Sequence, residues 1–207
     1  MEEVKYGILL GDIVGSRQIA DRSAFEGRMS EALESIRQEF ADAFALPVRT
    51  WKGLDEIAAV LRLPAPVYAV IDRFNSLLAP ERLRVVVVSG SLDTWPPDGD
   101  VTKADGPAFH EAAGRMAGLK KTGLLFEGVT GAPSDALWNT AVNALQLLKS
   151  GWTERQWRIY AAWQRKGSQE AVAEELRISQ QMVSKALKAI GAAQVHQLEE
   201  RLRAAGH

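Results

Sequence analysis

Apolar residues in the first part of the chain form short runs typical of strands and one longer stripe typical of a helix. Residues 4–10 are rich in apolar and β-favouring types and predict the first strand. Apolar residues spaced three and four apart over 22–44 predict a long amphipathic helix, which Pro47 ends. Residues 48–51 and 56–63 predict two short strands joined by a turn, although the pattern of 56–63 alone also fits a helix.

The following apolar segments complete one mixed domain. A second helix is predicted over 64–78, and the four consecutive valines within 83–92 favour a central strand buried on both faces. A helix at 108–120 and a strand at 122–129 follow. This order predicts the α+β class, with a ferredoxin-like or palm domain (βαββαβ) over residues 1–130. We expect a four-stranded antiparallel sheet with its helices on one face.

The rest of the chain reads as entirely helical. A helix at 134–149 predicts a linker over residues 131–150, and its apolar stripe consists of Leu137, Ala141, Leu145 and Leu148. Residues 151–207 then predict three short helices with tight turns, the pattern of a helix-turn-helix module. Thr153 followed by Gln156 is a capping-box pattern, and Ser179 is placed to cap the last helix of the motif.

Charge is distributed unevenly along the chain. Residues 151–207 hold nine Lys and Arg against six Asp and Glu, whereas residues 1–150 hold sixteen against twenty. The mildly basic tail favours a nucleic-acid contact at this end of the protein. The absence of cysteine excludes disulfides, thiolate catalysis and cysteine-ligated zinc. With no membrane-spanning apolar run and no signal-peptide pattern, we expect a cytoplasmic protein without a membrane partner.

Two aspartates are candidate metal ligands. Asp12 ends the first strand, and Asp55 lies in the turn of the predicted hairpin. In a β-α-β-β order the first strand and the hairpin are neighbours, so the two carboxylates are expected to converge. Such a pair repels unless a cation neutralises it, and hard oxygen ligands suit Mg²⁺. A strand-end aspartate that simply caps a turn is the alternative explanation of Asp12.

The turn after Asp12 is a candidate phosphate site. The backbone N–H groups from Ile13 to Arg17, including those of Gly15 and Ser16, are placed to cradle phosphate groups. The Arg17 guanidinium would add a charge-assisted contact. These residues, beside the predicted magnesium site, therefore indicate that a nucleotide binds here.

Several motifs resemble known families. "DIVGS" resembles the metal-binding segment of class III nucleotide cyclases, and "KGLDE" resembles their second metal-binding hairpin and the GGDEF turn of diguanylate cyclases. "ADGPAFHEAAGRM" resembles the cyclase helix that carries transition-state groups. Over nearly its full length the chain is similar to the SatD family, through "GDIVGSR", "ADGPAFH", "WTERQ" and "ISQQMVSKALKA" in that order.

The resemblance implies a cyclase-like domain joined to a helix-turn-helix. It implies that Asp12 and Asp55 bind metal, that Lys52 lies where some cyclases read the base, and that His110 lies where they orient the ribose. It also implies a head-to-tail homodimer. The sequence departs from the cyclase pattern where Gly114 replaces the expected arginine, so no catalytic residue is assigned and enzymatic activity stays open.

In the predicted module the second helix of the motif enters the major groove of DNA. Glutamine reads adenine in a bidentate way, and lysine or arginine holds phosphates. The predicted DNA-binding residues are Arg177, Gln180, Gln181, Ser184, Lys185 and Lys188. The alternative is a packing module that never meets DNA.

Three functions follow from these patterns. The first is a transcriptional regulator in which a nucleotide- and magnesium-sensing domain is coupled to DNA binding. The second is an active purine nucleotide cyclase or a related metal-dependent nucleotide enzyme. The third is a structural or interaction protein. The stripe of Val195, Leu198 and Leu202 fits either a dimer contact or packing on the module.

Overall fold

The strand β1 (Tyr6–Ile13) is hydrogen-bonded on both sides in the computed structural model of the chain, which describes residues 5–205. It pairs antiparallel with β3 (Glu56–Arg62) and with β4 (Leu83–Gly90). The strand reaches three residues beyond its predicted end at residue 10, because both neighbours continue to supply partners through Asp12. Val4, where we predicted it to begin, lies outside the described residues.

The sheet has five strands in the order β2-β3-β1-β4-β5. The strand β2 (Phe44–Thr50) pairs antiparallel with β3, and the short β5 (Phe126–Val129) pairs parallel with β4. The α+β class is therefore confirmed. The expected four antiparallel strands are present, and the strand predicted at 122–129 is the shorter β5, which joins the sheet as a fifth, parallel strand at its edge.

Helices cover both faces of the sheet. One apolar cluster joins Leu9 and Ile13 of β1 to α1 (Arg22–Glu39) and α2 (Val67–Leu78), and a second joins Ile8 to α3 (Pro107–Leu119). The prediction of helices on one face was therefore wrong. Because β1 and β4 are apolar at nearly every position, each of their two faces needs a covering helix.

The first helix is shorter than predicted. It ends at Glu39, and a 3₁₀ turn at 41–43 leads into β2, which contains Pro47. This strand lies at the edge of the sheet, where the missing proline N–H removes no ladder hydrogen bond that the sheet requires. Proline therefore marks an edge strand here and not the end of a helix.

The free edge of β5 is covered by α4 (Asp135–Lys149). Asn143 Oδ1 accepts hydrogen bonds from the backbone N–H groups at 125–126, and Asn139 exchanges two hydrogen bonds of 2.8 and 2.9 Å with the backbone of Gly128. A Cβ at Gly128 would lie 3.2 Å from Asn139 Oδ1, so the glycine permits this approach. The two amides thus take the place of a sixth strand.

The inward face of α4 is not the one that the stripe predicted. Trp138, Val142 and Leu145 are buried, whereas Leu137 and Leu148 are exposed. The asparagine contacts to β5 fix the rotation of the helix, because Asn139 and Asn143 must face the strand. Of the predicted stripe, Leu145 alone belongs to the buried core.

Four further helices follow, namely α5 (Glu154–Lys166), α6 (Gln169–Leu176), α7 (Gln180–Ala189) and α8 (Ala192–Ala204). The capping box of Thr153 and Gln156 is confirmed at the start of α5. Ser179 accepts a hydrogen bond from the Met182 N–H at the start of α7, as expected of a cap. The starts of α5 and α7 therefore follow from local capping chemistry.

The apolar cluster beneath α1 and α2 continues without a break into α4, α5 and α8. The division into residues 1–130, 131–150 and 151–207 stays a prediction, since the three parts share this core. Within the described residues, no helix combines the length and the apolar character that crossing a membrane requires.

A buried polar network lies where α2, α4, α5 and α8 meet. Lys149 Nζ is 2.5 Å from Asp72 Oδ1 and also pairs with Glu199, which is fully buried. Tyr68 and Tyr160 both donate hydrogen bonds to Glu199, and burial raises the pKa of Tyr160 above its usual range. We call Asp72, Lys149 and Glu199 the seam network. It ties the tail to the sheet body.

Candidate nucleotide site and nucleic-acid interface

Four charged side chains gather where β1 ends. Asp12 lies opposite Glu56 on one neighbouring strand and opposite Arg84 on the other. Its Oδ2 is 3.0 Å from an Arg84 nitrogen, and its Oδ1 is 2.7 Å from Nζ of Lys120, which follows α3. Lys120 Nζ is also 3.3 Å from Glu56. We call these four residues the sheet-end cluster.

The charges within the sheet-end cluster neutralise one another. Burial lowers the pKa of Lys120, but the hydrogen bonds and charges of Asp12 and Glu56 outweigh it and hold this pKa above its ordinary value. Arg84 is buried and also donates to the Leu124 carbonyl. Both Asp12 oxygens therefore face a side-chain cation.

This arrangement does not fit Mg²⁺ at Asp12. A divalent ion there would share each carboxylate oxygen with an existing cation, Arg84 or Lys120, at unfavourable like-charge distance. Across residues 5–205, no group of three or more Asp, Glu or His side chains is arranged to hold a metal ion. The magnesium site stays a prediction that the observed contacts do not favour.

The second predicted ligand, Asp55, contacts the turn and not Asp12. Its Oδ2 accepts a 2.6 Å hydrogen bond from Ser16 Oγ, and its backbone carbonyl accepts one of 2.9 Å from the Ile13 N–H. The end of β1 and the hairpin turn thus lie side by side, as the sequence predicts. The Ile13 N–H therefore already donates a hydrogen bond within the fold, and the Ile13 side chain is buried in the core.

The predicted phosphate turn borders a cleft of about 520 Å³. Gly15 adopts a left-handed conformation with φ 69°, and residues 16–18 form a 3₁₀ turn that keeps Arg17 exposed. The charged residues around the cleft are Asp21, Arg28, Glu81 and Arg82. Arg28 is paired with Glu81 at 2.9 Å, so among the described residues of the cleft Arg82 is the cation without an acidic partner.

The remaining two predicted nucleotide-binding residues, Lys52 and His110, contact other side chains. Lys52 Nζ sits 4.2 Å from the ring centroid of Trp51. His110, in the first turn of α3, is exposed and 3.2 Å from Asp105. It precedes Lys120 by ten residues, which separates it from the sheet-end cluster by about 15 Å of helix. The structure therefore does not bring His110 to Asp12.

The tail presents α7 with one face buried and the other open. Val183 and Leu187 pack inward, and α6 reaches α7 through the three residues 177–179. Arg177 adopts a left-handed conformation with φ 53°, which is uncommon for a residue other than glycine. The predicted DNA-binding residues are all exposed, namely Arg177, Gln180, Gln181, Ser184, Lys185 and Lys188. One of them, Gln180, donates a 2.8 Å hydrogen bond to Glu170.

Cations without acidic partners cluster around α7. Within residues 5–205, none of the following makes an ion pair: Arg155, Arg158, Arg177, Lys185 and Lys188. We call these five the basic face. Arg155 reaches α7 at 3.7 Å from the Met182 sulfur, and Arg155 and Arg158 line a small pocket with Ile178. By contrast, Arg165 and Lys166 on the same helix α5 both pair with Glu175.

Three residues of the two charged clusters were not predicted from the sequence, namely Arg158 of the basic face and Arg84 and Lys120 of the sheet-end cluster. Arg158 lies three positions after Arg155, a spacing that places both on one side of a helix and was available as a signal. Arg84 interrupts an otherwise apolar central strand, which indicates a buried ion pair. The contact of Lys120 with Asp12 depends on where α3 ends relative to β1, and no local pattern reveals that distance.

The sequence profile of the SatD family matches residues 6–204. The chain belongs to the SatD family. The similarity stated from its motifs is therefore confirmed at the level of the family. A comparison with curated proteins gave no significant match.

The comparison of this SatD-family chain with solved structures gave a weak similarity. The chain is similar to the crystal structure of a regulator of polyketide synthase expression from Bifidobacterium adolescentis, with 15% sequence identity and a TM-score of 0.27. The match covers 97% of this chain and 86% of the other. A similarity this weak supports no statement about function.

Proposed function

We propose that this SatD-family protein is a DNA-binding regulator, in which the tail formed by α5 to α8 acts as a helix-turn-helix and docks α7 into the major groove. The observation that carries the proposal is the basic face. Its cations lack acidic partners among the described residues, whereas Arg165 and Lys166 at the other end of α5 are both paired with Glu175. Unpaired cations gathered around one helix are the electrostatic footprint of a nucleic-acid contact.

The positions on α7 suit separate tasks. Gln181, Ser184 and Lys185 stand on the exposed side of the N-terminal half, which in such modules meets base edges. Lys188 and Arg177 flank this half at the helix end and at the turn, where phosphates run past. Gln180 must first release Glu170 to read a base, so we assign it a smaller part.

Arg155 and Arg158 extend the same surface onto α5. Arg155 lies beside Met182 at the start of α7. With α7 docked in the major groove, the Arg155 guanidinium therefore reaches the DNA backbone that borders this groove. Each phosphate neutralised by such a residue releases condensed counterions, which makes the affinity fall with salt.

We further propose that the sheet body responds to a nucleotide. The order β2-β3-β1-β4 with antiparallel neighbours supports a ferredoxin-like or palm domain, the architecture that the cyclase resemblance implies. The cleft beside Gly15 supports a phosphate site at residues 15–17, with Arg82 as a nearby cation. The shared core and the seam network give ligand binding in the body a physical route to the tail.

The DNA half is tested by selecting bound duplexes from a random-sequence pool and measuring affinity by fluorescence anisotropy with the full chain. We expect Lys188→Ala to weaken binding about equally on all duplexes, and Gln181→Ala to relax the preference at one base pair. Failure to bind any duplex at low salt would contradict the proposal.

The nucleotide half is tested separately by isothermal titration with ATP and GTP, each with and without Mg²⁺. We expect saturable heat that disappears in Arg82→Ala and does not require Mg²⁺, because Asp12 already has its cations. No heat at millimolar nucleotide would remove this half and leave DNA binding untouched.

A further inference from the structure

The outward face of α4 is apolar although it is open to solvent. Leu137 is 75% exposed, Leu147 73% and Leu148 56%. Between residues 136 and 148 the helix contains no charged side chain, whereas a solvent-facing helix surface normally does. Exposed leucines in a contiguous patch mark an interaction surface.

The spacing on this face is symmetric under reversal of the helix. Along the outer side lie Leu137, Thr140, Ala144 and Leu147, with steps of three, four and three residues. Read in either direction the order is one leucine, two small residues and one leucine. Steps of three and four are the seam pattern of paired helices.

We propose that this outer seam, made of Leu137, Thr140, Ala144 and Leu147, is a homodimer interface in which two copies of α4 pack antiparallel across a two-fold axis near residue 142. Leu137 then packs against the partner's Leu147, and Thr140 against the partner's Ala144. The small residues at the centre allow the two helices to approach closely, and the two helix dipoles oppose each other favourably.

A second copy suits this surface better than an unrelated protein. A two-fold interface requires that one patch complement itself, and the reversible spacing satisfies that condition. The patch offers no charge by which a different partner would be chosen. A groove of about 730 Å³ beside the helix, which is lined by Leu147 and by the half-exposed Leu124, enlarges the apolar area available to the partner.

The alternative dimer stripe on α8 is already occupied. Val195 and Leu202 are buried in the core of the chain, and Leu198 alone of the three is exposed, at 45%. The predicted stripe therefore serves to pack α8 on the body. This leaves Leu198 as a matched control, since it is an exposed leucine on a different helix.

The test is sedimentation of the full chain over a range of concentrations, without DNA or nucleotide. We expect a particle of twice 22.7 kDa that dissociates in Leu147→Glu, with self-association weakened at least about 100-fold because each substitution occurs twice. Leu198→Glu should dimerise like the wild type. A wild type that stays monomeric at high micromolar concentration overturns the inference, as does a folded Leu147→Glu dimer.

A second measurement uses the absence of cysteine in the chain. Thr140→Cys combined with Ala144→Cys places thiols opposite each other in the proposed register, and this double variant should form intermolecular disulfides under mild oxidation. Ala189→Cys, which is also exposed and lies on α7, should cross-link much more slowly at the same concentration. Equal rates for the two variants would overturn the proposed register, and circular dichroism confirms that both remain folded.

Discussion

The sheet-end cluster and the basic face differ in what their charges contact. At the sheet end, Asp12 faces both Arg84 and Lys120 within 3.0 Å, and Glu56 shares Lys120. Around α7, Lys185 and Lys188 face solvent with no acidic partner among the described residues. Both regions are charged, but the first is satisfied within the fold and the second is not.

This difference separates structural charge from charge available to a ligand. Breaking a buried pair leaves an uncompensated ion and lowers stability. Removing an unpaired surface cation costs the fold little but removes a contact to a polyanion. The two classes of residue should therefore respond to substitution in opposite ways.

The largest loss of stability is expected in the seam network. Lys149→Met should reduce the free energy of unfolding by about 3 to 5 kcal/mol, because it leaves the buried Asp72 and Glu199 with the more distant Arg203, 3.7 Å from each carboxylate, as their shared cation. Urea denaturation followed by circular dichroism measures this loss. Lys166→Met, on the exposed side of α5, is the matched control and should leave the midpoint nearly unchanged.

A smaller loss is expected at the sheet end. Asp12→Ala should cost about 2 to 3 kcal/mol, since Arg84 is buried and would keep the Leu124 carbonyl as its single acceptor. The same denaturation experiment measures it, with the exposed Asp98→Ala as control. If both variants lose the same amount, then the cluster is not a structural feature of the fold.

Lys120 should matter more for keeping divalent cations away from Asp12 and Glu56 than for the stability of the fold. Because its side chain is partly exposed, we expect Lys120→Ala to cost about 1 kcal/mol or less. The wild type should show no saturable Mn²⁺ binding at millimolar concentration, while the variant, which frees Asp12 and Glu56, should gain weak binding. Electron paramagnetic resonance of added Mn²⁺ reports both, and tight binding to the wild type would contradict the account.

The smallest expected effect is a gain in stability at Arg177. Arg177→Gly should raise the free energy of unfolding by about 0.5 to 1 kcal/mol, because glycine adopts the left-handed conformation without strain. The same variant should bind DNA less tightly. Arg177→Ala separates the two effects, since it loses the guanidinium and keeps the strain. Reduced stability of the glycine variant would contradict this assignment.

Much of the fold could be predicted because local chemistry sets the boundaries. The serine and threonine caps place α5 and α7 correctly, and the four valines within 83–92 identify the central β4. The exposed side of α7 follows from the buried positions of Val183 and Leu187, so the six DNA-binding candidates lie on the surface as expected.

The sequence was less informative where distant segments meet. Asp12 alone does not reveal that Arg84 and Lys120 arrive from two other elements to occupy its oxygens. The rotation of α4 depends on asparagine contacts to β5, so its second apolar face could not be separated from its core face by periodicity. Edge position, which explains Pro47 within β2, likewise depends on the complete strand order.

If unpaired and not merely exposed cations contact DNA, the salt dependence of binding should distinguish the two kinds of cation. Two double variants remove the same charge, Lys185→Ala with Lys188→Ala from the basic face and Arg165→Ala with Lys166→Ala from the paired set. Anisotropy titrations at several salt concentrations should give a slope of log affinity against log salt that is shallower by about 2 in the first variant and unchanged in the second. Equal changes in both variants, or no change in either, would contradict the account.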